Sequence, residues 1–178
     1  GNTLIVVTGA KNCEPVSCVY NDGSGPHSLN SKISQPDSKG DQHCDVWALD
    51  NVDAASGSGS VTFTVNSAQK SVMAVYEVSG LDSTGSYDVS AGAGGRATSF
   101  DSGTTATTSQ ADELVVGGVL CGAVDGSTTL TGTCTDNTQT EYTGQASILT
   151  ATKTVSSTGQ YDMTGGLTSK EYYAAVVA

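Results

Sequence analysis

Apolar side chains recur along the chain in short runs that have the period of a β-strand. Residues 61–65 (Val-Thr-Phe-Thr-Val) alternate apolar and polar positions, which is typical of a strand with one buried face. Residues 4–8, 44–49, 113–120 and 172–178 form further short runs rich in Val and Ala, and each predicts a strand. In residues 71–78 apolar side chains occur on both faces of the predicted strand, so we expect a strand in the centre of a sheet there.

The runs are separated by turn residues, and no window has the 3.6-residue apolar period of an amphipathic helix. This pattern predicts an all-β fold without substantial helix: a single antiparallel β-sandwich, of jelly-roll or immunoglobulin-like type, over residues 1–178. The polar stretch at about 24–42 contains two prolines and several glycines. We expect a long irregular loop there.

A short motif occurs twice. Residues 83–88 read Ser-Thr-Gly-Ser-Tyr-Asp, and residues 157–162 read Ser-Thr-Gly-Gln-Tyr-Asp. Each copy follows an apolar strand, which indicates two similarly built connections. Gly would set the turn, Asp would cap it and Tyr would pack on the end of the sandwich. The alternative is a repeated loop that contacts a ligand.

The composition narrows the possible partners. The chain has 7 Lys and Arg against 18 Asp and Glu, a net charge of −11. Nucleic-acid binding needs a basic surface, and an anionic membrane would repel this chain, so we expect neither partner. Charged residues make up only 14% of the chain, and Ser, Thr and Gly replace them, which disfavours helix and suits a secreted protein.

Five cysteines lack the spacing of a zinc ribbon or a redox motif. Cys121 and Cys134 flank a turn-rich stretch between two strand-like runs, so a disulfide across a hairpin is predicted. Cys13 is expected to pair with Cys18, or Cys18 with Cys44. The odd number leaves one free thiol, for which Cys44 is the candidate, either buried or in an intermolecular bridge.

Carboxylates crowd one region of the sequence, and hard cations prefer such oxygen ligands. Five of these residues could bind a structural calcium ion, the one cofactor that the sequence suggests: Asp37, Asp41, Asp45, Asp50 and Asp53. The spacing is not that of an EF-hand, and ordinary turn chemistry explains the same residues.

The sequence offers little for catalysis. It has two histidines, His27 and His43, and no G-x-S-x-G motif. On a strand His43 and Cys44 would point to opposite faces, so they would not form a thiol–imidazole pair. Nothing in the spacing selects two carboxylates for glycoside hydrolysis. We therefore expect no enzyme activity.

Several segments resemble a β-sandwich module that recurs in tandem in secreted and surface proteins of bacteria and in some phage structural proteins. The segments that carry this resemblance are residues 1–7, 71–82, 111–118 and 172–176. The resemblance implies an extracellular or cell-surface setting and tandem neighbours of the same fold. It implies no reaction. The chain departs from the module in its five cysteines and in the polar stretch 24–42.

Two functions follow as hypotheses. The first is a self-assembling structural subunit of a surface filament, pilus or layer, whose partners are copies of itself and whose terminal strand, 1–8 or 172–178, completes a neighbour's sheet. The alternative is a carbohydrate- or receptor-binding module of a secreted or phage tail protein. In that module Trp47, Tyr87 and Tyr161 would stack on the ligand.

Overall fold

A computed structural model describes residues 1–53, 59–122, 128–142 and 146–178. Within these ranges the chain is all-β, with 64% of residues in strands and no helix. The strands are β1 Asn2–Lys11, β2 Pro15–Asn21, β3 Pro26–Ser28, β4 Asn30–Pro36, β5 Gln42–Val52, β6 Ser60–Val65, β7 Lys70–Val78, β8 Ala91–Asp101, β9 Asp112–Cys121, β10 Thr129–Leu130, β11 Asp136–Tyr142, β12 Ser147–Ser156 and β13 Thr164–Val177.

The strands form three antiparallel sheets. The central sheet has the order β4-β5-β1-β7, and the small sheet has the order β3-β2-β6. The large sheet has the order β10-β13-β9-β12-β11, and β8 pairs with the remaining edge of β13. The predicted antiparallel β-sandwich is confirmed, and a third sheet is added to it.

The central sheet is covered on both faces. Ile5 and Val7 of β1 point toward the large sheet, where they pack with Leu120. Leu4 and Val6 point the other way and pack with residues of the small sheet. Because successive strand side chains alternate between faces, a strand in the middle layer must be apolar at almost every position. This explains the uninterrupted burial of residues 3–10.

The outer face of the large sheet is covered by side chains from the end of β8, the β12–β13 connection and the start of β13. Phe100, Met163 and Leu167 pack there against Val115 and Val119 of β9. The large sheet is therefore also apolar on both faces, which is why β9 reads as a continuous hydrophobic run.

Two glycines let the central and large sheets approach closely. A Cβ at Gly9 would lie 2.5 Å from Leu120 Cδ1, and a Cβ at Gly118 would lie 2.5 Å from Val7 Cγ1. Both distances are far below contact, so any larger residue would push the sheets apart.

The structure corrects two predictions about the strands. The stretch 24–42 is not a long irregular loop, because it contains β3 and β4. Strand β4 is polar because it is an edge strand with only β5 beside it. Strand β7 is not central but forms the other edge of the same sheet. On one face of β7 Val72 and Ala74 are buried, whereas on the other face Met73 is half-buried and Val75 is exposed.

Both terminal strands are internal to their sheets. Strand β1 pairs with β5 on one side and β7 on the other. The last residues of β13 pair with β8 on one side and β9 on the other. Each terminal segment therefore already has its main-chain hydrogen bonds within the chain.

Candidate functional site

A cleft of about 250 Å³ opens between the central and large sheets, beside the start of β9. Its apolar walls include Ile5 and Val46 from the central sheet and Leu114 and Val116 from the large sheet. Its rim comes from the β7–β8, β8–β9 and β12–β13 connections, which supply the polar lining residues Asp82, Ser86, Tyr87, Asp88, Thr105, Thr108, Gln110 and Tyr161.

Tyr87, from the first copy of the repeated motif, stands at the rim and is 40% exposed. Its hydroxyl shares a hydrogen bond of 2.8 Å with Ser90 Oγ. The Lys32 ammonium of β4 lies 5.5 Å from the centroid of its ring, which is within the range of a cation–π contact. The ring is thus held at both its hydroxyl and its face while remaining accessible.

Tyr161, from the second copy, lines the same cleft and is half-buried. Its hydroxyl donates to the carbonyl of Ser157, and its backbone N–H donates to Thr105 Oγ1 at 3.0 Å. Thr105 N–H donates in turn to the Tyr161 carbonyl at 2.9 Å. The β8–β9 connection therefore fixes the position of Tyr161.

The two motif copies are built differently at their glycines. Gly85 has a φ of +80°, a conformation that L side chains rarely adopt. Gly159 does not have a positive φ, but a Cβ there would lie 3.0 Å from the Tyr161 ring. The motif therefore recurs for two different local reasons, and the expectation of two similarly built turns is wrong in this respect.

The aspartates of the two copies do share a role. Asp88 Oδ2 accepts a hydrogen bond from the backbone N–H of Ser109 at 2.6 Å. Asp162 Oδ1 accepts one from the backbone N–H of Thr133 at 3.0 Å. Each carboxylate thus ties its connection to a segment distant in the chain, and these hydrogen bonds are not the caps of their own turns that the motif predicts.

Two carboxyl groups meet at the cleft, Asp88 and Glu113. Burial and a hydrogen bond with Asp88 raise the pKa of Glu113 above its usual value. The backbone N–H of Ser109 and the contact with Glu113 lower the pKa of Asp88. These opposite shifts mean that a proton shared by the pair resides on Glu113 rather than on Asp88, because two carboxylates in contact disfavour double ionisation. Glu113 Oε1 is buried and has no hydrogen-bond partner.

Asp50 attaches the β7–β8 connection to the central sheet. Its carboxylate accepts hydrogen bonds from the backbone N–H of Gly85 at 3.1 Å and of Ser86 at 3.3 Å, and from the Ser86 hydroxyl. Burial raises the pKa of Asp50, but these hydrogen bonds and the nearby Lys32 ammonium together lower it by a larger amount. The net shift of the Asp50 pKa is therefore downward. The charged form of Asp50 is therefore the one that holds the rim.

Trp47 does not belong to the cleft, which corrects its prediction as a stacking residue. It is only 7% exposed and packs on Phe63 between the central and small sheets. Its Nε1 donates to Thr8 Oγ1 at 2.9 Å, so its one polar atom is satisfied inside the protein. Two of the three predicted aromatic residues, Tyr87 and Tyr161, do share one site.

The five aspartates proposed for calcium are not brought together, and no group of three or more potential ligands occurs within the described ranges. Asp37 Oδ1 accepts from the backbone N–H of Lys39 and Asp41, both at 3.0 Å, which is turn chemistry. Asp45 is buried inside the sandwich, whereas Asp41 and Asp53 are exposed.

All five cysteines are buried and none forms a disulfide, so the predicted disulfides are not formed. A bridge between Cys18 and Cys44 is ruled out by the layers, since Cys18 of β2 packs between the small and central sheets and Cys44 of β5 packs between the central and large sheets. Cys121 and Cys134 share the outer cluster of the large sheet without a disulfide between them. Burial raises the pKa of Cys134 to about 12 and that of Cys18 to about 11, which keeps both protonated.

The chain has no significant match to a protein-family model, to a curated protein or to a solved structure. In the part of the chain that the structure describes, no helix is long and apolar enough to cross a membrane.

The sequence-based search missed Glu113, Asp88 and Lys32 as site residues. Asp88 carries a signal in its repeated motif, but Glu113 reads only as the start of an apolar run. Lys32 lies in the stretch expected to be a loop. Only the stacking of the sheets and the path of the connections bring the three to one cleft.

Proposed function

We propose that this protein is a non-enzymatic, extracellular carbohydrate-binding module whose ligand occupies the cleft between the central and large sheets. One observation carries the proposal: Tyr87 and Tyr161, the two tyrosines of the repeated motif, line a single cleft together with carboxyl and hydroxyl groups. Apolar walls with a few convergent polar groups are the usual composition of a ligand pocket.

A sugar ring suits this combination of groups. The C–H face of a pyranose stacks on an aromatic ring, while its hydroxyls need hydrogen-bond donors and acceptors at the ring's edge. Tyr87 offers an exposed ring, and Asp88, Thr108 and Gln110 lie around the same cleft. At about 250 Å³ the cleft is slightly smaller than most pockets for drug-sized ligands, which suits one or two sugar rings.

The carboxyl pair favours binding over hydrolysis. Glycosidases hold their two carboxyl groups about 5–9.5 Å apart, so that the sugar or a water lies between them. Asp88 and Glu113 are instead hydrogen-bonded to each other. That contact supports the assignment of a binding module without catalytic activity.

The proposed setting rests on the sequence. The net charge of −11 and the richness in Ser, Thr and Gly suit a secreted protein without nucleic-acid or membrane partners. The resemblance of residues 71–82 and 111–118 to tandem surface modules supports the same setting, with tandem neighbours as partners. A structural calcium ion stays a prediction.

Self-assembly by strand exchange stays a prediction with less support. Donation of β1 or β13 would require breaking the two ladders in which each already pairs. Light scattering over a dilution series tests it, since a monomer at every concentration would argue against a filament subunit.

The binding proposal is tested with a glycan array followed by titration calorimetry on the best glycan. Replacing Tyr87 by Ala should weaken that binding at least about tenfold, because a stacking ring contributes about 1–3 kcal/mol to an aromatic contact. Tyr172→Ala is the matched control, since Tyr172 is a partly exposed tyrosine that does not line the cleft. The proposal fails if no glycan binds, or if both variants bind as the unchanged protein does.

A further inference from the structure

The two edge strands of the central sheet differ in how they are protected against pairing with another chain. The edge of a sheet presents unpaired N–H and C=O groups, and proteins usually protect it with charges, prolines or bulges. Strand β4 has all three, since it contains Lys32, Pro36 and a register shift in its pairing with β5. Strand β7 has no proline and no shift in its pairing with β1, and its charges, Lys70 and Glu77, lie near its ends.

The outer edge of β7 is long and apolar. In the part of the chain that the structure describes, no strand pairs with this edge along the nine residues of β7. Its interior, residues 71–76, reads Ser-Val-Met-Ala-Val-Tyr, without Gly, Pro or charge, which is the composition of segments that readily add to another strand. Val75 is 39% exposed there, and Met73 on the same face is only half-buried. The strand therefore offers both main-chain groups and apolar side chains to a partner.

The two ends of β7 carry opposite charges, which favours one orientation of such a partner. Lys70 begins the strand and lies opposite Lys11 of β1, whereas Glu77 lies near the other end. Both Lys70 and Glu77 are exposed. Parallel pairing of two β7 strands would place like charges side by side, which is unfavourable. Antiparallel pairing instead places the lysine end of one strand beside Glu77 of the other, so the edge is complementary to itself.

We propose that two copies of this chain pair antiparallel through β7, so that their four-stranded central sheets join into one continuous sheet. A two-fold axis perpendicular to the sheet keeps each face on its own side, so residues that face the small sheet pair with residues that face the small sheet. Met73 packs with the small-sheet cluster, and Val75 lies on the same face. With the axis at Ala74, Met73 of each copy lies opposite Val75 of the other, and the exposed Val75 is covered.

This pairing predicts a closed and weak dimer. The two-fold axis uses the same edge of both copies, and the opposite edge, β4, is protected, so the assembly does not grow into a filament. A single strand pair buries an area at or below the low end of specific interfaces, about 1,200 Å², so the dimer should dissociate on dilution. No residue of β7 lines the cleft, so both clefts stay open and the inference does not depend on the proposed carbohydrate-binding function.

Sedimentation velocity over a dilution series tests the dimer. The net charge of −11 makes two copies repel each other, so the measurement uses about 0.15 M salt, where charges more than about 8 Å apart are largely screened. The weight-average sedimentation coefficient should rise from that of one copy toward that of two between about 1 μM and about 1 mM protein, the range of a weak complex. A monomer at every concentration in this range overturns the proposal.

A pair of variants tests whether β7 is the interface. Val75→Lys should move the midpoint of association to at least about tenfold higher concentration, because an ammonium group would then lie in the paired apolar face. Val16→Lys is the matched control, since Val16 of β2 is 57% exposed, lies on another sheet and gains the same charge. This control should associate as the unchanged protein does. If both variants associate normally, or both lose association, pairing through β7 is wrong.

Hydrogen exchange gives a second readout that needs no substitution and so does not depend on how a variant folds. Backbone N–H groups on the outer edge of β7 gain acceptors in the dimer, so exchange within residues 71–77 should slow at least about tenfold from dilute to concentrated protein. Strand β6, an edge of the small sheet, is the internal control and should exchange at the same rate in both samples. A dimer that leaves exchange in β7 unchanged, or that slows another strand instead, overturns the proposal.

Discussion

The two faces of the central sheet are buried to a similar extent but differ in chemistry. Toward the large sheet Val7, Val46 and Leu120 pack in one apolar cluster, and polar contacts cross the same interface, with the Tyr76 hydroxyl 2.6 Å from Thr150 Oγ1. Toward the small sheet the cluster of Leu4, Val6 and Trp47 is accompanied by the polar residues Thr8 and Asp45. Both interfaces thus combine apolar packing with hydrogen bonds, and the small-sheet interface also contains the buried carboxyl group of Asp45.

The polar network at the small sheet is only partly satisfied. Trp47 Nε1 donates to Thr8 Oγ1, and Thr8 Oγ1 donates to Asp45 Oδ2 at 3.2 Å. Asp45 Oδ1 has no hydrogen-bond partner. Burial raises the pKa of Asp45 to about 6, an effect that hydrogen bonds with Ser34 and Thr8 only partly oppose. The small-sheet interface therefore contains a titratable group, and the protonation of this group makes the stability depend on pH.

The largest expected effect is at the apolar interface. Leu120→Ala should lower the free energy of unfolding by about 3–5 kcal/mol, because Leu120 is fully buried between two sheets that cannot collapse around the cavity. Leu4→Ala, at the small-sheet interface, is the matched control and should cost about 2–3 kcal/mol. Urea denaturation measures both. A larger cost at Leu4 would mean that the small sheet is packed as rigidly as the large one.

A smaller effect is expected from Asp45. Its folded pKa of about 6 is above the usual 3.8, so the folded state binds the proton more tightly than the unfolded state. The contribution of protonated Asp45 to the free energy of unfolding is fully present below about pH 4 and is lost as the pH rises through about 6. Above that pH the free energy of unfolding is lower by up to about 3 kcal/mol. Asp45→Asn should remove this dependence and raise stability at neutral pH. Urea titrations from acid to neutral pH measure it.

The control for that measurement is Asp53→Asn, since Asp53 is exposed. The Asp53→Asn variant should show the same dependence of the free energy of unfolding on pH as the unchanged protein. If Asp45→Asn also leaves the slope unchanged, the buried carboxyl does not set the pH dependence of the small-sheet interface.

The smallest expected effect is on the reactivity of the buried thiols, which reports local detachment of the small sheet from the central sheet. Cys18 lies at the small-sheet interface and Cys44 at the large-sheet interface, both buried free thiols. In single-cysteine variants, Cys18 should react with a thiol reagent at least about tenfold faster under native conditions, because a three-stranded sheet detaches at lower cost than global unfolding. Equal labelling rates would show that the three layers open as one unit.

Much of the fold could be predicted because strand signals are local. The alternation in residues 61–65 and the apolar run of β9 both correspond to strands, since the side-chain period of a strand is written directly in the sequence. Strand β4 was missed because it is a polar edge strand. The position of β7 was wrong because apolar residues on a second face need not be buried: Met73 is only half-buried and Val75 is exposed on this edge strand.

The candidate site was predictable only in part. The repeated motif singled out Tyr87 and Tyr161, and both line the cleft. Trp47 carried the same aromatic signal but is a core residue, because exposure is a property of the packed layers and not of residue type. The pairing of Asp88 with Glu113 could not be predicted, since it depends on the β7–β8 connection passing beside the start of β9, which is distant in the chain.

The sequence by itself determined that the chain forms β-strands, that they pack as an antiparallel sandwich, and that its surface is strongly acidic. These properties follow from side-chain period, residue propensity and charge, which are local or additive. Only the tertiary structure decided which face each strand presents, that the thiols stay apart, and that two tyrosines and a carboxyl pair share one cleft. Those properties depend on contacts between residues far apart in the chain, and such contacts exist only once the three sheets are stacked.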